Sequence, residues 1–162
     1  MTMEKKKYPL RTNVGYFLNK PIGFSREFEF NFPEIFIEPE LNAWNFNGKY
    51  SFTRTREGLL LQADIQADVE NQCSRCLEPI KVHTEAQFED LYVFETRMKE
   101  ELDEEEVPRD GYINLAVPFR DYLILGVPIN NLCKEDCKGI CIECGQNLNN
   151  GSCEHNHRIE FS

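Results

Sequence analysis

Alternation of apolar and polar residues is the dominant pattern in the first half of the chain. It is clearest over residues 59–69, where every odd position is apolar and the even positions from Gln62 onward are polar. A period of two over that length predicts a half-buried strand, because a helix would spread the same residues around its circumference. Weaker alternation predicts further strands around 27–32, around 44–52 and around 80–88. Within 44–52 the apolar residues all fall on even positions, so Trp44 is expected on the same face as Phe46, and Gly48 marks a bulge or a close approach.

The connections between these strands are short. A polar turn that ends in Gly58 joins the second and third strands, and a loop that carries Cys73 and Cys76 joins the third and fourth into a hairpin. A short helix is expected at about 115–125, with Asn114 as its N-cap and apolar residues at helical spacing. The predicted fold class is α+β: an antiparallel β-meander or a partly closed barrel, with a short helix and a zinc-binding C-terminal tail.

The expected organisation is one domain with two appendages. Residues 1–22 form an N-terminal segment, residues 23–128 a β-rich domain that includes an acidic loop at 95–111, and residues 129–162 a cysteine-rich tail packed on the same domain. Dense like charge makes the acidic loop more typical of a solvated segment than of a metal or substrate site. Structure is expected to resume at Tyr112.

Overall composition narrows the function classes. The net charge is −10, which disfavours broad nucleic-acid binding because affinity for nucleic acid comes largely from neutralising phosphates. A mean hydropathy of −0.53, the lack of an apolar run long enough to span a bilayer and the lack of a secretory signal predict a soluble, cytoplasmic protein. In a reducing compartment, seven clustered cysteines are more often metal ligands or redox groups than a disulfide framework.

The cysteine spacing predicts structural zinc. A Cys-x2-Cys step lets one turn of backbone wrap a tetrahedral ion, and the chain has two such steps. Seven cysteines and one nearby histidine fill two closed sites, and the preferred partition is Cys73, Cys76, Cys133 and Cys137 in one, and Cys141, Cys144, Cys153 and His155 in the other. A competing partition joins Cys73 and Cys76 with Cys141 and Cys144 in a single site, so one or two zinc ions are expected.

Several alternatives stay open at this point. A Cys-x2-Cys step can be a redox dithiol, although that motif usually opens a helix in an α/β unit, and iron–sulfur clusters also take four thiolates. His157 can replace His155 as a ligand. Because a closed four-ligand site leaves no position for water or substrate, the zinc would be structural, and the chain carries no familiar catalytic motif. We therefore expect no enzyme activity and no small-molecule substrate.

Two segments resemble a known family. They are Cys-Ser-Arg-Cys-Leu-Glu-Pro at 73–79 and the cysteine-bearing stretch at 125–149, and the resemblance to the YceD-like family covers roughly residues 20–155. Many members end in Cys-x-Cys where this chain has Cys153-Glu154-His155, which favours His155 as a substituted ligand. Members often continue with an Asp-Pro-Arg segment and a further helix. The resemblance implies a part in the accumulation or maturation of large-subunit ribosomal RNA in bacteria and plastids.

The expected function is thus a non-enzymatic zinc-binding factor for ribosome assembly. Its partners would be ribosomal proteins or the large-subunit precursor, and the acidic charge makes a basic ribosomal protein at least as plausible as direct RNA contact. No membrane partner is expected. The alternatives are a zinc-stabilised interaction module unrelated to ribosomes and a thiol–disulfide redox protein.

Overall fold

The computed structural model describes residues 9–94 and 105–155. Long strands dominate this part of the chain, and a short 3-10 turn at Gly15–Asn19 precedes them. In chain order the elements are β1 (Arg11–Asn13), β2 (Ser25–Ile37), β3 (Leu41–Arg54), β4 (Gly58–Gln72), β5 (Pro79–Val93), β6 (Glu105–Glu106), β7 (Tyr112–Asn114) and α1 (Ala116–Leu125). None of the helices in the described ranges is long and apolar enough to cross a membrane.

The main sheet is an open meander. Strands β2 to β5 pair antiparallel in sequence order, and β6 joins the β5 edge in parallel, so the spatial order is β2-β3-β4-β5-β6. Strands β1 and β7 form a separate antiparallel pair. The meander predicted from sequence is confirmed, whereas the partly closed barrel is not: within the described residues β2 and β6 lie at opposite edges of the sheet.

Strand β4 forms the centre of the sheet as its alternation predicted. Its six odd positions from Leu59 to Val69 are all buried, none more than 7% exposed. The even positions carry amides and carboxylates to the other face, which is half-buried or exposed from Gln62 onward. Because β3 and β5 flank it on both sides, this strand contributes the longest apolar stripe of the core.

A bulge in β3 makes one prediction wrong. Asn45 has a left-handed backbone (φ 50°), and Asn45 and Phe46 together lie opposite a single residue of β4. Asparagine tolerates this conformation better than most residues. The extra residue shifts the phase of the strand, so Phe46 is fully buried whereas Trp44 lies on the opposite face, under the Lys81 ammonium at 3.8 Å. The close approach expected at Gly48 is present, because a Cβ there would meet the Asp64 carbonyl oxygen at 2.3 Å.

Helix α1 covers the apolar face of the sheet. It begins at Ala116 with Leu115 as its N-cap, one residue after the predicted Asn114. Asn114 still accepts a hydrogen bond from the Ala116 amide at 3.1 Å. Phe119 and Leu123 are fully buried beneath it. The helix end is held to β5, since the Thr84 hydroxyl donates to the Leu123 carbonyl at 2.8 Å in a buried position.

Part of the predicted acidic loop at 95–111 forms a strand. Residues 95–104 lie outside the described residues. The prediction of a loop is wrong for Glu105–Glu106, which form β6. These two residues pair with the free edge of β5, and nothing in their amino-acid types indicates a strand. Structure resumes with a strand before the helix, and Leu10, Val14 and Phe17 of the N-terminal segment are buried in the same core.

Two candidate metal centres

The β4–β5 connection forms the first cysteine turn. The Cys73 amide donates to the Glu78 carbonyl at 2.9 Å, and the Leu77 amide donates to the Cys73 carbonyl at 3.0 Å. Leu77 takes a left-handed conformation (φ 63°) to close the turn. This compact geometry directs the side chains of Cys73 and Cys76 toward one point at the end of the hairpin, and both are buried.

A segment that follows α1 docks on this turn. The Ser74 amide donates to the Asn131 carbonyl at 2.7 Å, and the Asn131 amide donates to the Ser74 hydroxyl at 3.1 Å. The Arg75 guanidinium donates to the Cys137 carbonyl at 3.1 Å. These three bonds hold residues 131–137 against the hairpin tip, and so bring Cys133 and Cys137 to the first pair of thiols.

The first quartet has the dimensions of a tetrahedral thiolate site. The sulfur atoms of its four members all lie within 4.8 Å of one another. Cys73 Sγ is 3.7 Å from Cys137 Sγ, and Cys76 Sγ is 3.6 Å from Cys133 Sγ. Tetrahedral zinc with Zn–S bonds of about 2.3 Å requires sulfur–sulfur edges of about 3.8 Å, whereas a disulfide requires about 2.0 Å. All seven cysteines are free thiols, so both quartets are available for a metal.

Ionisation of this quartet is uneven. Burial opposes the thiolate of Cys73, yet backbone amides of Cys76, Cys133 and Arg75 outweigh it and lower the Cys73 pKa to about 6. Cys133 is largely exposed, but local desolvation of its thiol and the side chains of the other three cysteines raise the Cys133 pKa to about 12. Four thiolates at these distances repel one another, and a divalent cation at their centre removes that repulsion. The quartet is therefore suited to a metal ion and poorly suited to standing fully ionised without one.

The second cysteine turn repeats the hydrogen bonding of the first. The Cys141 amide donates to the Gln146 carbonyl at 2.9 Å, and the Gly145 amide donates to the Cys141 carbonyl at 2.8 Å. Gly145 is left-handed (φ 74°), as Leu77 is in the first turn. The two turns are thus local copies of one geometry, with glycine in one and leucine in the other at the position that favours glycine.

The second quartet adds a histidine. Cys141 Sγ lies 3.7 Å from Nδ1 of His155, and the ligand atoms of all four members lie within 4.8 Å. The other ring nitrogen, Nε2, is 3.1 Å from the Glu143 carboxylate, an arrangement that orients metal-binding histidines. The backbone amide of Cys144 is the largest influence that lowers the Cys141 pKa to about 6. Cys141 is buried, whereas Cys144 and His155 are exposed.

Asn149 connects the two quartets. Its amide group donates to Cys137 Sγ at 3.3 Å, and its side-chain oxygen accepts from the Lys138 amide at 2.9 Å. The neighbouring Asn147 donates to the Glu78 carboxylate at 3.3 Å, back at the first turn. The segment that leads out of the second turn therefore supplies a hydrogen bond to a sulfur of the first quartet.

The eight predicted ligands fall into the two sets that the preferred partition named. The pairs Cys73/Cys76 and Cys141/Cys144 belong to different sets, so the described structure does not join them as the competing partition did. His157 lies outside the described residues. Sequence reasoning missed the tail-holding bonds of Ser74 and Arg75 and the bond from Asn149 to sulfur. No spacing signal marks them, because these contacts exist only once the tail is docked.

Fold and site together define an α+β protein, an open β-meander with one covering helix and two four-residue sets that can hold metal ions. The chain belongs to the YceD family, described as large ribosomal RNA subunit accumulation protein YceD, whose profile matches residues 61–161. The matched region begins in β4 and contains both quartets.

Curated relatives extend this assignment. An uncharacterized protein of Mycobacterium tuberculosis is 32% identical over 107 residues, which are 64% of this chain and 50% of the relative. One of Mycobacterium leprae is 28% identical over 95 residues, 57% of this chain and 44% of the relative. The chain spans about half the length of these relatives. The Arabidopsis thaliana chloroplastic large ribosomal RNA subunit accumulation protein YCED homolog 1 is 38% identical over 47 residues, 29% of this chain and 15% of that protein. No solved structure matches significantly.

Proposed function

We propose that this protein is a non-enzymatic zinc-binding factor that supports accumulation and maturation of large-subunit ribosomal RNA during ribosome assembly. The observation that carries the proposal is the family match over residues 61–161, which contains all eight members of the two quartets. The name of the plant relative points to the same process. The metal sites would fix the shape of the tail, and the folded surface would make the contacts.

Zinc is the ion that suits both donor sets. Cysteine thiolates with or without one histidine, in tetrahedral sets of four, are the usual ligands of structural zinc. The sulfur–sulfur separations of 3.6 and 3.7 Å in the first quartet are close to the edge that such a site requires. Four protein ligands leave no coordination position for substrate, so zinc here would stabilise the fold without activating water.

The partners follow from charge. With a net charge of −10, the protein gains little from contact with the phosphate backbone over a broad surface. A basic ribosomal protein is electrostatically complementary, and such complementarity raises association rates and disfavours wrong partners. We therefore favour contact with ribosomal proteins or with a protein-rich face of the large-subunit precursor, in the cytoplasm.

Elemental analysis of the purified chain tests the metal assignment. We expect about two zinc ions per chain, one for each quartet. Cys73→Ser and Cys144→Ser should each retain about one. Iron in place of zinc, or no metal in protein purified without chelator, would rule out a zinc factor. Thiols that react with an alkylating agent before a chelator is added would favour a thiol–disulfide protein instead.

Gradient sedimentation tests the cellular role. Cells that lack this protein should show reduced large-subunit ribosomal RNA and accumulated precursor, and the wild-type chain should restore the profile. A normal profile in the deletion strain would overturn the ribosomal assignment. Affinity purification free of ribosomal components would instead favour an interaction module unrelated to ribosomes.

A further inference from the structure

A groove lies between helix α1 and the β5–β6 edge of the sheet, and none of the eight candidate metal ligands lines it. Its volume is about 700 Å³. Tyr92 and Tyr122 line it from the strand and the helix, and Ile113 lines it near the helix start. Volumes of this order accommodate several side chains of a bound segment. The groove is a structural feature that the metal sites do not use.

Two exposed apolar side chains of α1 border this groove. Val117, Asp121 and Leu125 are spaced by four residues and so lie on one face of the helix, with the Asp121 carboxylate between the two apolar residues. Val117 is 52% exposed and Leu125 is 78% exposed. Both stand on the side of the helix that the sheet leaves uncovered, and an apolar residue of a partner that packs on Leu125, the more exposed of the two, would remove it from water.

The rim of the groove is acidic. Asp90, Glu105, Glu106 and Asp121 line it, and none of its described lining residues is Lys or Arg. Asp121 is paired with the neighbouring Arg120 at 2.7 Å, so the negative charge of the rim comes mainly from the other three carboxylates. The Asp90 carboxylate accepts a hydrogen bond from the Tyr122 hydroxyl at 3.1 Å, which fixes it at the helix side of the groove. A rim of this sign repels phosphates and attracts cationic side chains.

We propose that this groove binds a lysine- and arginine-rich segment of a protein partner, with one apolar residue of that segment packed against Leu125. The acidic rim would pair with the flanking cations, and the contact with Leu125 would set the register. This deepens the proposed function, because basic extensions are the chemistry that a ribosomal-protein partner would offer. RNA is disfavoured at this face by the carboxylates.

The test uses a fluorescent Lys/Arg-rich peptide with one central leucine, titrated with the full zinc-loaded chain and followed by anisotropy. We expect saturable binding that weakens as salt is raised. The double variant Glu105→Gln with Asp90→Asn should weaken binding about tenfold, as expected for two partly exposed ion pairs, and the amide oxygen that Asp90→Asn leaves in place can still accept the hydrogen bond from Tyr122. The matched control, Glu27→Gln with Glu29→Gln, removes the same net charge from the exposed face of β2 and should leave the affinity within about twofold.

The apolar part of the groove has its own pair of variants. Leu125→Ala should weaken peptide binding about threefold, because it removes part of the seat for the leucine. Ile124→Ala is the control, since Ile124 is also exposed (49%) but does not line the groove. Replacing the peptide's leucine with serine should reproduce the loss seen with Leu125→Ala. Zinc content and thermal unfolding of each variant verify that the fold is retained.

Four results would overturn this inference. They are equal weakening by both charge pairs, no binding at all, displacement of the peptide by single-stranded oligouridylate, and binding that appears only after residues 95–104 are replaced by a Gly/Ser linker. The last would identify the chain's own segment as the occupant. None of these results by itself contradicts the proposed role in ribosome assembly. That role is tested separately: a deletion strain with a ribosomal RNA defect that the double variant rescues would support it even if the groove does not bind the peptide.

Discussion

The two cysteine quartets share one turn geometry but differ in how they are embedded. The first joins residues far apart in the chain, for Cys76 and Cys133 are 57 positions apart. Three of its four cysteines are buried. The second is local, with Cys141 and His155 only 14 positions apart, and its Cys144 and His155 are exposed. Two similar ligand sets therefore differ in burial and in the length of chain that each one connects.

This difference separates what a metal would do at each site. At the first site, metal binding would stabilise the docking of the tail against the β4–β5 hairpin. Its free energy would offset the entropy lost when the long chain segment between Cys76 and Cys133 is closed into a loop. At the second, the ion would order only the residues around the second turn. The first site should therefore report on the stability of the whole fold, and the second on a local unit that can open by itself.

Removal of a ligand from the first quartet should have the largest effect. Cys73→Ser eliminates a fully buried thiolate, and structural zinc contributes up to ~10–16 kcal/mol in small zinc peptides, so the loss should be at least ~3 kcal/mol. We expect the unfolding midpoint to fall by about 10 °C. Hydrogen exchange should show loss of protection at residues 128–137, where the tail meets the hairpin.

The matched variant in the second quartet is Cys144→Ser. It should also lose one zinc ion, yet shift the midpoint by no more than about 3 °C, because its turn is exposed and local. Equal losses of stability in the two variants would contradict the distinction between a fold-wide and a local site. Elemental analysis of both proteins ensures that each has lost its own ion alone.

Chelator competition should separate the sites in the wild-type protein. A chromogenic chelator can approach the exposed ligands of the second quartet, whereas three of the four cysteines of the first quartet are buried and become accessible when the tail undocks. We expect two kinetic phases of equal zinc amplitude, with the faster at least about tenfold quicker. Circular dichroism recorded after the fast phase should retain the sheet signal. A single phase, with the sheet signal lost in step with zinc, would mean that the two sites open together.

The sequence carried the strand pattern well and the local deviations poorly. Alternation over residues 59–69 identified β4, because a strand that is buried on one face has apolar residues at every second position of its sequence. The same logic misplaced Trp44, since a single left-handed residue at Asn45 inverts the phase without altering the apparent alternation. Glu105–Glu106 pair with β5 only because an edge is available, and two acidic residues carry no period at all.

For the candidate sites, ligand identity was more predictable than ligand support. Counting eight donors in sets of four made two groups the preferred partition, because tetrahedral sites take four ligands, but the spacing alone left the competing partition open. The fold brings together the two groups of the preferred partition. Arg75 was indistinguishable from a solvated arginine, and Asn149 from any other polar tail residue. Their roles depend on the docked position of residues 131–137, which only tertiary structure specifies.

Asn149 gives a finer test of how independent the two sites are. Its amide donates to Cys137 Sγ, so Asn149→Ala should weaken zinc affinity at the first quartet although the residue belongs to the second turn's segment. Loss of such an outer hydrogen bond typically lowers metal affinity about tenfold. Asn150→Ala is the control, because Asn150 is exposed. Competition with a chelator of known affinity measures the zinc affinity of the first quartet in both variants. If Asn149→Ala and Asn150→Ala have the same affinity, the segment of the second turn does not influence the first site.

The smallest effects should come from the residue that closes each cysteine turn. Gly145→Ala places a side chain in a left-handed conformation, which costs about 1 kcal/mol and should weaken zinc at the second quartet about fivefold with little change in the unfolding midpoint. Leu77→Gly relieves the same strain in the first turn, and Leu77→Asn should relieve part of it, since asparagine tolerates this region. Because the first turn is coupled to the whole fold, relief of this strain in Leu77→Gly should raise the thermal unfolding midpoint. The greater conformational entropy of glycine in the unfolded chain offsets part of this gain, so we expect a net rise of about 2 °C. If Gly145→Ala moves the midpoint and Leu77→Gly does not, the assignment of the fold-wide and local sites must be reversed.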